Sequence, residues 1–295
     1  MPKPTQVAQY FGARNARRIA GAHLLSTWTS VPHSISRMYS LLQRLRSLRH
    51  GFWYGISERM RWSRGAFEEI PAREFLVLGS EKAERIAALR HRYQVQFELQ
   101  LSAATSLRNY EYLDLLDRGW RESGMEIPQD GVLCDIGCAS FWYAATLQCF
   151  FRPARLIGVE VEGYRLFRNW HTRSDYAAGY LARMPTAKFV VADYSGREEP
   201  ADMITAWFPF LTPTALLAWR LPLSLLAPEK LFHRVKYNLQ PQGTFFMVNH
   251  GLDEAALAAG WCDAAGFRLT ARWSGAQTLG GDRMQAPMLS WWRHG

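Results

Sequence analysis

Cysteine is scarce in this 295-residue chain: Cys134, Cys138, Cys149 and Cys262 are the only four, and no two form a C-x-x-C pair. That spacing excludes the common zinc and redox frameworks, so no metal site is expected and the thiols read as free in a reducing cytoplasm. Long apolar runs are also missing. The most apolar stretch, 211–228, contains Pro213, Pro222, Pro228 and Arg220, and the N-terminus lacks the apolar core of a signal peptide. A soluble, cytoplasmic protein is the expectation. Acids are nearly absent at the front: residues 1–65 hold eleven Lys and Arg against one acid, Glu58. With a net charge of +9 overall, the remainder is close to neutral.

What is present is apolar and aromatic: 48% hydrophobic residues, 12 of them tryptophan, enough for one sizeable core with an appended segment. The N-terminal part reads as helical. Ile35, Met38, Leu42, Leu45 and Leu48 recur at steps of three and four within 34–50, followed by a mixed connector over 51–80 that ends in a strand-like run, 75–78. Two further helices are expected over 81–101 and 106–120, the second capped by Thr105 or Ser106.

From Gly131 onward, strands and helices alternate. Strands are expected at 132–135, 156–161, 188–192, 203–206, 244–248, 268–272 and 288–292. Helices are expected at 140–151, 164–184, within 225–239, and at 254–265. The predicted fold is α/β, a doubly wound, seven-stranded, mostly parallel sheet. The last two strands leave no room for a crossover helix and so make an antiparallel edge. Residues 1–104 are expected to be a basic helical extension or lid, and 105–295 the sheet domain.

The most informative stretch is Val132-Leu133-Cys134-Asp135-Ile136-Gly137-Cys138-Ala139, followed 25 residues after Asp135 by Gly158-Val159-Glu160. Strand, acid, small-residue turn, helix, strand and second acid form a βαβ unit whose turn and acids face one ligand at the carboxyl ends of parallel strands. A dinucleotide pyrophosphate requires glycine at the second and third places of G-x-G-x-x-G. Counting from Gly137, Ala139 and Trp142 stand there, which argues against NAD and FAD.

These segments, with Phe189–Asp193, Ala201–Thr205 and Leu239–Phe246, resemble in order and spacing the class I S-adenosylmethionine-dependent methyltransferases over roughly 105–295. The resemblance implies S-adenosylmethionine as cofactor. It implies that Asp135 serves the methionine ammonium, with the Gly137-Cys138-Ala139 backbone beneath the tail. Glu160 would accept the ribose hydroxyls, Asp193 the adenine amino group, and Tyr194 would lie close to the ring, with Val161 and Ala206 completing the pocket. This chain departs from the glycine-rich loop at Ala139 and Phe141. Ala139 is expected to keep a negative φ, and Phe141 to point away from the cofactor.

For the acceptor, the mouth above strands four and five holds Trp207, Phe208 and Phe210 where amino-group methyltransferases carry an Asn/Asp-Pro-Pro-aromatic motif. Losing the polar residue disfavours a base or amide nitrogen as acceptor and favours a small aromatic or apolar molecule gripped by Phe208, Phe210 and Trp219. His250, with Asn249 and Trp207, is the candidate catalytic group at the end of strand five. Three alternatives stay open. Residues 1–65 suit RNA, which would make an RNA methyltransferase; they equally suit an anionic membrane surface; and the whole chain suits a non-catalytic methyltransferase-fold binding protein. Oligomeric state is not legible.

Overall fold

The protein is described here by a computed structural model covering residues 40–72, 79–275, 279 and 286–295. Seven strands form one sheet in the order β3-β2-β1-β4-β5-β7-β6. They are β1 (Val132–Ile136), β2 (Arg155–Glu160), β3 (Ala187–Val191), β4 (Ala201–Trp207), β5 (Leu239–His250), β6 (Phe267–Ser274) and β7 (Pro287–His294). Pairings from β3 through β5 are parallel, and β5-β7-β6 is antiparallel, as expected from the missing crossover helix.

Alternation along each strand sorts side chains onto two faces. Leu133, Met203, Phe246 and Trp291 join a core built with α2 (Ser80–Tyr93), α3 (Ala103–Ser123), α4 (Ala144–Phe151) and α5 (Arg173–Leu181). Cys134, Ile204, Phe245 and Trp292 join the opposite core with α7 (Pro228–Asn238) and α8 (Gly251–Ala264). A short α6 (Pro213–Ala218) follows β4. The carboxyl ends of β1, β2 and β4 therefore open on one edge, where the chain reverses direction between β1 and β4.

Several boundaries differ from the sequence reading. The first helix, α1, runs Leu41–Met60, so it continues through much of the expected connector. It does so because Ser47, Gly51, Tyr54 and Glu58, spaced four, three and four, share one stripe. The Ser47 hydroxyl accepts from the Leu223 amide at 2.9 Å, and the Tyr54 hydroxyl donates to the Val161 carbonyl at 3.4 Å. Residues 34–39 and the run 75–78 lie outside the described residues. The second expected helix stops at Tyr93, where Gln94 takes a left-handed cap, and a 3₁₀ turn follows at Phe97–Leu99. The third begins earlier, capped by Ser102 instead of Thr105 or Ser106.

The expected long helix over 164–184 is the largest difference. Helix α5 starts only at Arg173, because Thr172 and Asp175 form a capping box there. Residues 161–172 instead double back over the strand ends. The Asp175 carboxylate also accepts from the Ser63 hydroxyl and, at 3.1 Å, from the Arg64 amide, while the Phe67 amide donates to the Asp175 carbonyl at 2.9 Å. Those bonds pin the connector after α1 to α5. Gly179 admits it: a Cβ there would land on the Phe67 carbonyl oxygen. Gly179→Ala is therefore expected to destabilise the protein by about 1–3 kcal/mol and to expose the 61–72 connector to proteolysis, checked by urea unfolding and limited digestion.

Candidate functional site

The loop after β1 keeps an unusual backbone. Gly137, Ala139 and Phe141 all have positive φ, at 69°, 52° and 56°. Alternate positions thus take the left-handed conformation that glycine adopts without penalty, two of them carrying side chains that cost roughly 1 kcal/mol each there. The expectation of a negative φ at Ala139 fails: the turn holds Ala139 left-handed while its amide donates to the Glu160 carboxylate at 2.8 Å. The Gly137 amide donates to the Val159 carbonyl at 2.8 Å, which fixes the turn against β2.

Phe141 does point away from the cleft. Its ring is fully buried in the core, over Gly158 of β2, where a Cβ would come within 2.6 Å of it. Trp142 is likewise buried, edge-on to Tyr112, with its carbonyl accepting from Asn109 and the Arg108 guanidinium 3.8 Å above its ring. Neither aromatic fills the space above the strand ends.

The three acids differ sharply. Asp135 is fully buried; its carboxylate accepts from the Tyr143 hydroxyl at 2.6 Å and the Thr205 hydroxyl at 2.5 Å. Burial raises its pKa to about 7 against these two stabilising hydrogen bonds. It braces β1, α4 and β4 from below and is not presented to the cleft. Asp193 is exposed and caps the 3₁₀ turn Tyr194–Gly196 through the Ser195 amide.

Glu160 is buried at the end of β2, and its carboxylate is already engaged. It accepts from the Ala139 amide at 2.8 Å and the Glu162 amide at 2.9 Å, and the Arg173 guanidinium lies 3.1 Å away. Of the roughly four acceptor positions on a carboxylate, these contacts take three. Arg173 is itself buried and reaches Glu162 at 3.1 Å; Glu162 in turn pairs with Arg165 at 2.9 Å. Burial raises the pKa of Glu162, opposed by both arginines. The Arg165 guanidinium also donates to the Trp219 carbonyl at 2.9 Å, and the Trp219 ring lies 5.4 Å from Arg173. Trp219 thus covers this ion cluster. As arranged, the residues fit a nucleoside only in part: Glu160 keeps one open acceptor position, and full recognition of a sugar diol requires Arg173 to withdraw.

Helix α1 approaches the same edge. The Tyr54 hydroxyl, on the Val161 carbonyl, has its pKa raised to about 12 by burial and by the nearby carboxylates of Glu58, Asp193, Glu162 and Glu160. Beside it, α1 and the β2–α5 segment enclose a cavity of about 670 Å³ lined by His50, Tyr54, Glu162, Tyr164 and Arg165 among others. A smaller cavity of about 350 Å³ lies near Phe97, Trp142 and Tyr180, on the α2–α3 side.

The remaining expected site residues divide. Gly137 is exposed, Ala139 and Val161 are half-buried at the mouth, and Ala206 and the Cys138 side chain are buried. Tyr194 is a correction: its ring packs in the α7 core and its hydroxyl accepts from Asn238 at 3.1 Å, away from the cleft. The turn from β3 carries it beneath the sheet edge. Trp207 is a second correction. It stacks on Tyr112 at 4.4 Å in the α3–α4 core, because its place on β4 faces the same side as Thr205 and Phe246. Asn249 is buried, with its amide near Glu254 at 3.4 Å. His250 is exposed and stacks face to face on Phe208 at 4.0 Å, and Phe210 sits 5.4 Å from Trp219.

Sequence reasoning missed Arg173, Glu162, Tyr143 and Thr205. The Glu160-x-Glu162 spacing, with Arg165 three residues on, was a usable signal; Arg173 was hidden inside an expected helix.

No family model matches the chain, and no curated protein matches it. Solved structures similar in fold include a SAM-dependent methyltransferase from Aquifex aeolicus, 11% identical, covering 62% of this chain and 92% of its own, with a TM-score of 0.45. An S-adenosylmethionine-dependent methyltransferase from Clostridium acetobutylicum is 9% identical over 73% of this chain and 98% of its own, with a TM-score of 0.43. The glycopeptide N-methyltransferase MtfA, in complex with sinefungin, is 10% identical over 62% and 94%, with a TM-score of 0.45. These are likenesses of fold alone. The strand order and the antiparallel β7 edge define the class by topology: the chain has a seven-stranded, Rossmann-like α/β fold.

Two measurements follow from the loop and its brace. Asp135 binds its proton more tightly folded than unfolded, so its contribution to stability is complete below about pH 4 and is lost as pH rises through about 7. Urea unfolding at about pH 5 and about pH 8 is expected to show this loss, on the order of a few kcal/mol, and Asp135→Asn to remove most of it. Ala139→Gly is expected to raise stability by about 1 kcal/mol, measured in the same way.

Proposed function

We propose that the chain is an S-adenosylmethionine-dependent methyltransferase acting on a small aromatic or apolar molecule. The observation that carries this reading is the loop after β1. It holds left-handed backbone at Gly137, Ala139 and Phe141 although two of the three are not glycine, and strain kept at a strand-end turn is a mark of function. The cofactor supplies an activated methyl group, so the protein's task is to align the acceptor and exclude water. Glu160, Asp193 and the Gly137–Ala139 backbone would hold the nucleoside and its tail. Phe208, Phe210 and Trp219 would grip the acceptor, and the Phe208–His250 stack supports an aromatic mouth with His250 as a candidate base there.

In this reading Arg173 holds the place of a ligand: it neutralises Glu160 until the sugar hydroxyls replace it. A second reading is favoured by the same contact. A carboxylate with three of its acceptor positions satisfied internally suits a methyltransferase fold retained as a non-catalytic binding module.

Calorimetric titration with S-adenosylhomocysteine separates the two. The wild-type chain is expected to bind, Glu160→Gln to bind about tenfold or more weakly, and Arg173→Gln to bind at least as well as wild type. Folded wild type and Arg173→Gln that both fail to bind would establish the non-catalytic module.

A further inference from the structure

Helix α1 is amphipathic in the inverse sense. The stripe that meets the protein is small or polar: Ser47, Gly51, Tyr54 and Glu58, with a Cβ on Gly51 only 3.5 Å from Pro222. The opposite stripe is apolar and faces outward. Leu41, Leu45, Leu48 and Phe52, spaced four, three and four, are 72%, 54%, 72% and 63% exposed, and Leu42 and Trp53 widen the stripe on one side. Packing within the fold accounts for the polar face and leaves the leucines unexplained. A soluble helix of this composition would bury them.

Charge identifies what covers the stripe. Arg44, Arg46 and Arg49 are exposed along it, and the one acid of the helix, Glu58, is turned inward. Residues 1–40 add five cations and no acid. A second copy of α1 would bring arginines against arginines, and the chain's own N-terminal residues would do the same. Single-stranded RNA would bring phosphates to the exposed arginines and stack on Phe52 or Trp53, yet it gives four exposed leucines nothing. One surface supplies negative charge and hydrocarbon together: the headgroup and acyl boundary of an anionic bilayer. Aromatic residues beside leucines and arginines are the composition of helices that lie in that interface. Among the described residues no helix is long and apolar enough to cross a membrane, so the contact is one of lying on the surface.

We propose that α1 docks the protein on anionic membrane surfaces through the Leu41–Leu45–Leu48–Phe52 stripe, with Arg44, Arg46 and Arg49 meeting lipid phosphates. The inference is independent of the methyltransferase reading and holds whether or not the chain binds cofactor.

Co-sedimentation of the full chain with vesicles tests it. Binding to an equal mixture of phosphatidylglycerol and phosphatidylcholine is expected to be at least about tenfold tighter than to phosphatidylcholine alone, and to weaken with salt. Leu45→Glu/Leu48→Glu is expected to lose the binding by about tenfold or more. The side chains are exposed, so its thermal midpoint should match wild type. Arg44→Gln/Arg46→Gln is expected to reduce the preference for phosphatidylglycerol. Equal binding to both vesicles, or unchanged binding by the leucine variant, would overturn the proposal. So would a concentration-dependent dimer, without vesicles, that the leucine variant abolishes; that result would assign the stripe to a second copy. Oligouridylate that displaces the protein from vesicles and binds more weakly to the leucine variant would assign it to RNA instead.

Discussion

The buried pair between Glu160 and Arg173 organises the carboxyl edge of the sheet at the end of β2. Taking a carboxylate and a guanidinium out of water is costly, and the cost is offset only when both ions are fully paired and hydrogen-bonded. Here the pairing extends through two backbone amides, Glu162, Arg165 and the Trp219 carbonyl. The loop after β1, the end of β2, the start of α5 and the segment after α6 are tied at one point. Withdrawing Arg173 would leave two buried carboxylates short of a partner, so a ligand at this edge has to supply what the arginine supplies.

Beneath that cluster lies a second buried acid with another task. Asp135 is fully buried and held by Tyr143, the residue that precedes α4, and Thr205 of β4. The two acids illustrate how similar strand-end positions diverge. Asp135 faces the α3–α4 core, where the Tyr143 and Thr205 hydroxyls meet it, and desolvation favours its protonated form. Glu160 lies where a loop amide and an arginine converge, and remains an acceptor. The left-handed turn between them, with Phe141 folded down over Gly158, is what brings the Ala139 amide to Glu160.

The surface of the molecule follows a different logic. The chain's net positive charge is concentrated before residue 65, and α1 sends its apolar side outward while a polar, small-residue side seats it on Val161, Pro222 and Leu223. Tyr54 sits within the field of Glu160, Glu162 and Asp193. The helix that carries the outward stripe therefore also reaches the edge where Glu160, Glu162 and Arg165 converge, so that surface and that edge share one structural element.

Much of the fold was legible in the order of residues. The strand segments, the antiparallel edge and the acids at strand ends are local patterns of period and punctuation, and such patterns survive folding because hydrogen-bonding geometry imposes them. Helix α5 starts later than the expected helix over 164–184, because a capping box at Thr172 and Asp175 fixes its first turn. Which acid would face a ligand was not legible at all. Asp135, Glu160 and Asp193 look alike in sequence, and Trp207 and Tyr194 read as mouth residues although both are core. Their environments are set by side chains far away in the chain: Thr205 is 70 residues from Asp135, and Asn238 is 44 from Tyr194. The sequence by itself determined the layers, the alternation of strands and helices, and the antiparallel edge. Only the tertiary structure decided which charges meet, because Coulomb and desolvation energies depend on distance and burial, and neither is a local property of the chain.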